Sequence, residues 1–312
     1  MNVRNELLVQ IAELYYQQNM NQAEIAKSFG LSRPSVSRLL DEARKRKIVE
    51  IFIHGPVAKN AELSGQVRKK FGLKFCSVVE CALPYRDSLR KCARAAGDFL
   101  HSILGNNMTI AITWGTAMGM LAEELECREY HNIHVAQMVG CLGAGDPSQD
   151  GVEISRVIAE KLGARYSNIY APVFVDSVVI RDYFLKETLI STAMRKAMYA
   201  DIAITGIGSM NDPGSVLSVT GYVTPEDWDW LTQQGCVTHL IGRMFKEDGV
   251  EVNLKNKYVI STPLENLREV NWSVGIAASV DKEESVRGAI KSGYINCLII
   301  DEPLAQVLLA SG

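Results

Sequence analysis

The sequence has few of the features that mark secreted, membrane or zinc-binding proteins. Its seven cysteines include no C-x-x-C pair and lie mostly in apolar runs, which argues against both a disulfide framework and a zinc site. The amino terminus lacks the apolar core of a signal peptide, and no uninterrupted apolar run is long enough to span a bilayer. We therefore expect a reduced, cytoplasmic protein with no membrane partner.

Motifs of common catalytic and nucleotide-binding sites are also missing. "GCLGAGD" and "GIGSMND" both break the G-x-G-x-x-G spacing, and the chain has no Walker A, H-E-x-x-H or G-x-S-x-G motif. The five histidines are scattered rather than grouped as a metal or catalytic cluster. We therefore expect no cofactor, no bound metal and no catalytic residue.

The composition fits a folded chain of two unequal domains. The 312 residues are 47% hydrophobic and 22% charged, with a net charge of −3. Residues 1–56 contain eight Lys and Arg against six Asp and Glu, so the rest of the chain carries the negative charge. This polarity indicates a small nucleic-acid-binding module attached to a larger domain with another task.

The stretch "LSRPSVSRLLDEARKRK", residues 31–47, predicts an amphipathic helix with an unusual outer face. Its apolar stripe is Val36, Leu39, Leu40 and Ala43. Ser32 is placed to cap the helix, and Pro34 falls in the first turn, where a missing N–H costs nothing. Arginines and small serines occupy the opposite face and suit phosphates and guanine edges in the major groove.

The neighbouring segments complete a helix-turn-helix pattern. In "MNQAEIAKSFGLS", Asn21 and Glu24 predict a capping box at the start of a helix, and Gly30 allows a tight turn after it. "NELLVQIAELYYQQ" supplies a packing helix, and "IVEIFIH" alternates like a strand, so residues 1–56 predict a winged helix-turn-helix. The expected contacts with operator double-stranded DNA are Gln22, Ser32, Arg33, Pro34, Ser35, Ser37, Arg38, Arg44 and Lys45, within a basic run that extends to residue 47.

Residues 57–312 alternate between strand and helix patterns after a charged linker helix. The predicted strands are buried rather than alternating, namely "FCSVVE", "TIAIT", "NIHVAQMV", "RYSNIYA", "DIAIT", "WSVGIAA" and "INCLIID". Helical patterns such as "DSLRKCARAAGDFL", "GVEISRVIAEKLG" and "DKEESVRGAIKSG" lie between them. This order predicts a Rossmann-like α/β domain with a mainly parallel sheet.

Glycine-rich loops follow several of these strands, at the edge where parallel sheets bind ligands. Gly115 and Thr116 open a helix, Gly140 lies in "MVGCLGAGD", and Gly206 and Gly208 lie in "TGIGS". In "SVDKEES" we predict Asp281 as an N-cap, with Lys282 at the start of the helix. Arg243 lies among apolar residues, where it would bind a ligand oxygen or form a structural ion pair. The combination predicts binding of a small phosphorylated metabolite.

With these motifs in this order, the chain resembles the SorC family of bacterial sugar-responsive transcriptional regulators. The resemblance covers essentially the whole chain and rests on "LYYQQNMNQAEIAKSFGLSRPSVSRLLDEARKRKIVEI", "ITWGTAMG", "TGIGS", "GRMFKEDG" and "RGAIKSGYINCLIIDEPLAQVLL". It implies a non-catalytic effector domain related to sugar-phosphate isomerases, a homo-oligomer (dimer or tetramer), and a phosphorylated sugar or polyol as effector. The implied effector shell is Gly115, Thr116, Gly206, Gly208, Arg243 and Lys282. Val139 stands where some relatives carry a Schiff-base lysine, so that chemistry is expected to be absent.

Two alternative functions stay open at this stage. The body could be a sugar-phosphate isomerase or deaminase with an accessory DNA-binding domain, and Asp146 and Asp150 are available carboxylates. The chain could also be a structural DNA-binding protein that responds to no metabolite. The preferred hypothesis is a regulator of a carbohydrate operon, gated by a sugar phosphate.

Overall fold

The structure, a computed structural model, describes residues 3–46, 48–49, 57–143, 145–211 and 215–311. By its internal contacts the chain divides into two compact units, Met1–Pro56 and Val57–Gly312. Each is described by itself below.

The first unit is built on three helices packed around a small apolar core. They are α1 (Val3–Ala12), which continues as a π-helical turn (Glu13–Gln17), α2 (Gln22–Phe29) and α3 (Arg33–Lys45). The core consists of Ile11, Ile25, Ala26, Val36 and Leu40. Because α1 and α2 both pack on α3, the two helices that flank Gly30 form a helix-turn-helix.

Side-chain caps fix the ends of the two short helices. Asn21 accepts from the amides of Ala23 and Glu24, and the Glu24 carboxylate accepts from the Asn21 amide, which confirms the predicted capping box. Gly30 ends α2 with a φ of 64°, and the Ser32 hydroxyl accepts from the Ser35 amide. The predicted wing strand "IVEIFIH" spans residues 48–54, and its residues 50–54 lie outside the described residues.

The second unit contains thirteen strands and eleven α-helices among its described residues. The strands are β1 (Phe75–Val79), β2 (Thr109–Ile112), β3 (His134–Gln137), β4 (Arg165–Ser167), β5 (Phe174–Val175), β6 (Ile202–Gly206), β7 (Gly208–Ser209), β8 (Cys236–Leu240), β9 (Arg243–Lys246), β10 (Glu251–Val252), β11 (Tyr258–Val259), β12 (Trp272–Ile276) and β13 (Cys297–Asp301). The helices are α4 (Ala61–Phe71), α5 (Tyr85–Ile103), α6 (Thr116–Glu124), α7 (Gly151–Leu162), α8 (Val178–Lys186), α9 (Thr188–Met198), α10 (Val216–Val219), α11 (Pro225–Gln233), α12 (Glu265–Glu269), α13 (Glu283–Lys291) and α14 (Glu302–Ala310).

A seven-stranded parallel sheet forms the centre of this unit. Its strand order is β1-β13-β12-β6-β2-β3-β4, and every neighbouring pair is parallel. These seven strands are the seven predicted from the sequence, which confirms the α/β class with a mainly parallel sheet. From β2 the chain runs to one edge through β3 and β4, then returns to β6 and runs the other way through β12 and β13. The order therefore reverses between β2 and β6.

Helices cover both faces of the sheet, which explains why its strands are apolar on both sides. One face packs against α5, α6 and α7, whose core side chains include Leu89, Met118 and Ile154. The other face packs against α4, α9, α13 and α14.

Several details differ from the predictions. The sequence did not predict the antiparallel sheet β10-β9-β8-β7 or the pair β11-β5, whose strands are mostly two to five residues long. The prediction of Asp281 as an N-cap was wrong: Ser279 accepts from the Asp281 amide and caps a 3-10 turn, Val280–Lys282, and Lys282 then leads into α13. All seven cysteines are free thiols. Within the described residues, no helix combines the length and the apolarity that crossing a bilayer requires.

Candidate effector cavity and DNA-binding face

The loops that follow β2, β6 and β12 meet where the strand order reverses. Open parallel sheets bind ligands at this position, because adjacent loops diverge there and leave a crevice. Here the crevice is a cavity with an empty volume of about 670 Å³, part of it open to solvent. Its described lining includes Thr113–Ala117, Thr205–Ser209 and Ile276–Ala278, together with Ser215, His239 and Lys282.

The wall after β2 is the amino terminus of α6. Gly115 caps this helix with a φ of 111°, and a Cβ placed on it would meet no atom within 4 Å. Because Gly115 has no side chain to cap the helix, the first-turn amides face the cavity at the positive end of the helix dipole. The Thr116 hydroxyl contacts the Gln149 side-chain oxygen at 3.1 Å. This wall is suited to an anion.

The wall after β6 is shaped by His239. Gly208 and His239 are directly opposite in the β7–β8 pair, and the ring covers the glycine. A Cβ on Gly208 would lie 2.1 to 2.4 Å from three ring atoms, so only glycine fits. Burial and the positive charge of Lys282 lower the pKa of His239 to about 3, and the neutral ring lies 3.3 Å from the Ser215 hydroxyl. Gly208 therefore provides the space in which the His239 ring packs, a role that the sequence did not predict.

The lining of the cavity includes a buried positive charge. Lys282 is 8% exposed and is the only charged side chain among the described residues that line the cavity. The short turn capped by Ser279 places it there, directly after β12. A buried ammonium and an uncapped helix amino terminus act in the same direction, so the field inside the cavity favours an anion.

Five of the seven predicted effector residues line this cavity, namely Gly115, Thr116, Gly206, Gly208 and Lys282. The other two lie elsewhere. Arg243 donates to the Glu251 carboxylate at 2.9 Å and lines a separate groove, which is the structural ion pair considered above. Gly140 packs against backbone, because a Cβ on it would lie 2.5 Å from the carbonyl oxygen of Pro172. Neither belongs to the described lining of this cavity.

Further lining residues were not selected from the sequence. They are Tyr85, Trp114, Thr205, Ser209, Ser215 and His239. Trp114 and Thr205 belong to the quoted motifs "TWGTAMG" and "TGIGS", so their loops were recognised although the side chains were not. Tyr85 and His239 come from α5 and β8, and no sequence pattern links them to these loops.

The described residues offer no catalytic pair in the loop considered for the enzyme alternative. Asp150 accepts from the amides of Gly143 and Val152, and Asp146 accepts from Ser148, so both carboxylates cap local structure. Hydrogen bonding to Ser148 lowers the pKa of Asp146 and keeps it ionised. No group of three or more potential metal ligands occurs among the described residues.

In the first unit, α3 presents the predicted DNA-binding face. Arg33, Pro34 and Arg38 are exposed, and the Arg38 side chain donates to the Pro34 carbonyl at 3.3 Å. Ser32 and Lys45 are also exposed, whereas Gln22, Ser35 and Ser37 are half-buried. Arg44 is paired with Asp41 on the surface, and residue 47 lies outside the described residues.

Comparisons with known proteins agree with this architecture. Residues 55–310 match the family model Sugar-bind, described as "Putative sugar-binding domain". The chain is 29% identical over 310 residues to the sorbitol operon regulator of Klebsiella pneumoniae, with 97% of each chain covered. The crystal structure of that full-length regulator, SorC, matches with a TM-score of 0.74 at 28% identity, covering 97% of this chain and 98% of SorC.

The chain belongs to the SorC family of sugar-binding bacterial transcriptional regulators. Another relative, the deoxyribonucleoside regulator of Bacillus subtilis, is 26% identical over 308 residues and covers 98% of both chains. Since both relatives align along their whole length, the likeness includes the helix-turn-helix unit as well as the sugar-binding unit.

Proposed function

We propose that this SorC-family chain is a DNA-binding regulator of a carbohydrate-utilisation operon, gated by a phosphorylated sugar or polyol. The observation that carries the proposal is the cavity between β2 and β6, which is suited to an anion and is joined in one chain to a helix-turn-helix. The relatives named for sorbitol and deoxyribonucleoside regulation support a sugar-derived effector.

The chemistry of the cavity supports a phosphoryl group beside Lys282 and the amino terminus of α6. The Lys282 ammonium and the amides of the first turn of α6 supply positive charge and donors for phosphoryl oxygens. Hydroxyl and imidazole groups at Ser209, Ser215 and His239 supply partners for sugar hydroxyls. The positive charge of Lys282 among the described lining residues suits a phosphoryl group better than an uncharged hydroxyl, so the proposed effector is phosphorylated.

The proposed gating couples this cavity to the affinity for DNA. Arg33, Ser37 and Arg38 read the major groove, and Arg44 and Lys45 contact phosphates. In a symmetric dimer, two recognition helices would lie roughly 34 Å apart on a pseudo-palindromic operator. The effector must bind one arrangement of the protein more tightly than another, since equal affinity for both would shift nothing. The protein acts as a homo-oligomer without catalysis in this proposal.

A thermal-stability screen of the full chain tests the effector half of the proposal. The panel contains phosphorylated and unphosphorylated sugars and polyols, and a ligand at 100 times its Kd stabilises the folded state by about 2.7 kcal/mol. We expect melting shifts only with phosphorylated compounds, and their loss in Lys282→Met. Lys291→Met, at an exposed position on α13, is the control and keeps the shift. A shift seen only with unphosphorylated compounds contradicts the proposed ligand class.

The DNA-binding half is tested with Arg38→Ala. Removing an arginine that contacts a guanine edge costs about 1–3 kcal/mol, or roughly 5- to 150-fold in affinity. The assay is fluorescence anisotropy on a duplex that the wild-type protein selects from a random-sequence pool. Arg195→Ala, on the exposed face of α9, is the control and leaves the affinity unchanged. Unchanged affinity in Arg38→Ala would show that the recognition helix is misassigned.

The enzyme alternative makes an opposite prediction for the same panel. An isomerase or deaminase would convert the phosphorylated compound that it binds, whereas the proposed regulator returns it unchanged. Incubating the full chain with each stabilising compound and examining the mixture by NMR distinguishes the two.

A further inference from the structure

Helix α8 is rich in apolar side chains, yet none of its nine residues is buried. Its inner side holds Phe184 and Leu185, which are half-buried and pack against a small core beneath the helix. Val179, Ile180 and Tyr183 are 72%, 48% and 68% exposed. Because helices in proteins owe most of their stability to the packing of an apolar face, the exposure of these three side chains needs an explanation.

The exposed apolar side chains lie on one side of the helix. Val179 and Tyr183 are four residues apart, and Ile180 is three residues before Tyr183, so the three are neighbours on the helix surface. The apolar surface continues at Leu189, in the first turn of α9, which is 78% exposed. We call Val179, Ile180 and Tyr183 the outer face of α8. A concentrated apolar surface of this kind marks a site that another molecule covers.

One residue of each charge flanks the outer face of α8. Asp176 lies just before the helix and Lys186 is its last residue. Both side chains are exposed, and neither has an ion-pair partner among the described residues. The charges in the middle of the helix are engaged within the chain, because Arg181 donates to the Asp182 carboxylate at 2.7 Å and its guanidinium lies over the Tyr258 ring.

This arrangement is complementary to itself. Position 181 is midway between Asp176 and Lys186, and it is also midway between Val179 and Tyr183. Two antiparallel α8 helices related by a two-fold axis at position 181 would therefore place Asp176 of each copy beside Lys186 of the other. The same register places Val179 opposite Tyr183. In an isologous contact each residue meets its counterpart twice, so the charges and the apolar side chains are matched on both sides of the axis.

We propose that the outer face of α8 is a contact between two copies of this chain, which pack their α8 helices antiparallel about a two-fold axis near position 181. The inference rests on the homo-oligomer in the proposed function and assigns a surface to it. The apolar side chains form the centre of the contact, and Asp176 and Lys186 form its charged rim.

A charge in the centre of the outer face tests the proposed contact. Sedimentation velocity over a concentration series compares the full chain with Val179→Asp. Full burial of a valine side chain corresponds to roughly 10- to 150-fold in an equilibrium constant, and the two-fold axis counts the loss twice. We therefore expect the Kd of self-association to rise at least about 100-fold and the mass of the complex to be halved. Val250→Asp, at a position 54% exposed between β9 and β10, is the control and changes neither.

A pair of charge reversals tests the antiparallel register. Asp176→Lys places two lysines at each end of the contact, and Lys186→Asp places two aspartates there. Each variant alone should associate about 5-fold more weakly than the wild type at low ionic strength. In an equal mixture of the two variants, opposite charges face each other again at both ends, so we expect mixed complexes to form with the wild-type Kd. A mixture that associates no better than either variant alone refutes the proposed contact.

Hydrogen exchange of the wild-type chain needs no substitution. We expect the amides of residues 178–186 to be protected at high protein concentration and to lose this protection on dilution. Protection that persists at every concentration, including those at which the chain is a monomer, would show that the same chain covers the outer face and would refute the inference.

The outcomes separate the inference from the function on which it rests. If Val179→Asp keeps the mass and the Kd of the wild-type complex, the copies associate through another surface, so the inference fails and the homo-oligomer stands. If the wild type sediments as a 34.5 kDa monomer at every concentration, the homo-oligomer fails and the inference fails with it. Neither result alters the stability shifts expected from phosphorylated compounds.

Discussion

Gly208→Ala is the substitution for which the structure makes the sharpest prediction. The added methyl group would lie 2.1 to 2.4 Å from three atoms of the His239 ring, far inside van der Waals contact. The ring is 8% exposed and lies beside the Ser215 hydroxyl, so it can make room for the methyl group only by leaving that contact and turning toward the cavity that it lines. Overpacking of a core typically costs 1–3 kcal/mol. With three ring atoms in conflict, we expect a loss near the upper end, about 3 kcal/mol in the free energy of unfolding.

A double-mutant cycle identifies the cause of that loss. Chemical denaturation of the full chain compares Gly208→Ala in the wild-type background and in the background of His239→Ala, where the ring is absent. We expect the cost of Gly208→Ala to fall below about 1 kcal/mol once the ring is removed. Gly65→Ala, in the middle of α4 with no atom near its Cβ position, is the control and should stabilise by about 0.5–1 kcal/mol. An equal cost of Gly208→Ala in both backgrounds would refute the steric reasoning.

Three further predictions concern His239, Gly140 and Asn21. Because the folded state holds the pKa of His239 at about 3, below the ordinary 6.5, the unfolded state takes up the proton first. The contribution of the neutral His239 ring to the free energy of unfolding is therefore complete above pH 6.5 and declines by about 2 kcal/mol by pH 5. His239→Gln should flatten this part of the curve of stability against pH. An unchanged curve would contradict the burial of a neutral ring. Gly140→Ala should lower the free energy of unfolding by at least about 2 kcal/mol, because backbone oxygens block the added methyl group, and should leave the Kd for phosphate unchanged. A changed Kd together with wild-type stability would indicate that Gly140 contacts the effector. Asn21→Ala should lower the midpoint of thermal unfolding of the first unit by removing about 1 kcal/mol of capping energy, and an unchanged midpoint would argue against the capping box.

The features that local sequence determines were predicted well. Each strand of the parallel sheet is a short buried apolar run between helical patterns, and that signal is contained in five to eight consecutive residues. The caps at Asn21 and Ser32 depend on contacts no more than three residues away, and they were confirmed for the same reason. The strand alternation also indicated which loops meet at one edge of the sheet.

Features that depend on contacts between distant parts of the chain could not be predicted from local sequence patterns. The contact of His239 with Gly208 requires β8 to pair with β7, two short strands separated by the segment that contains α10 and α11. The sequence left two predictions for Arg243, a contact with the ligand or a structural ion pair. They could not be separated because its partner, Glu251, is brought next to it only by the pairing of β9 with β10. The Asp281 prediction failed because Ser279, with a φ of 81°, begins the turn earlier than the helical pattern indicates.

Orphaned donors are visible only in the folded protein. Nothing in "TWGTAMG" indicates that the indole nitrogen of Trp114 is buried without a hydrogen-bond partner among the described residues.

The central claim is that a phosphorylated ligand in the cavity changes the affinity for DNA. The most direct test measures the Kd for the selected duplex with and without a saturating concentration of the phosphorylated compound that stabilises the protein most. We expect a change of about ten-fold in the wild type. In Lys282→Met we expect no response to the compound and the wild-type affinity in its absence. An identical DNA affinity of the wild type with and without the bound compound would contradict the account.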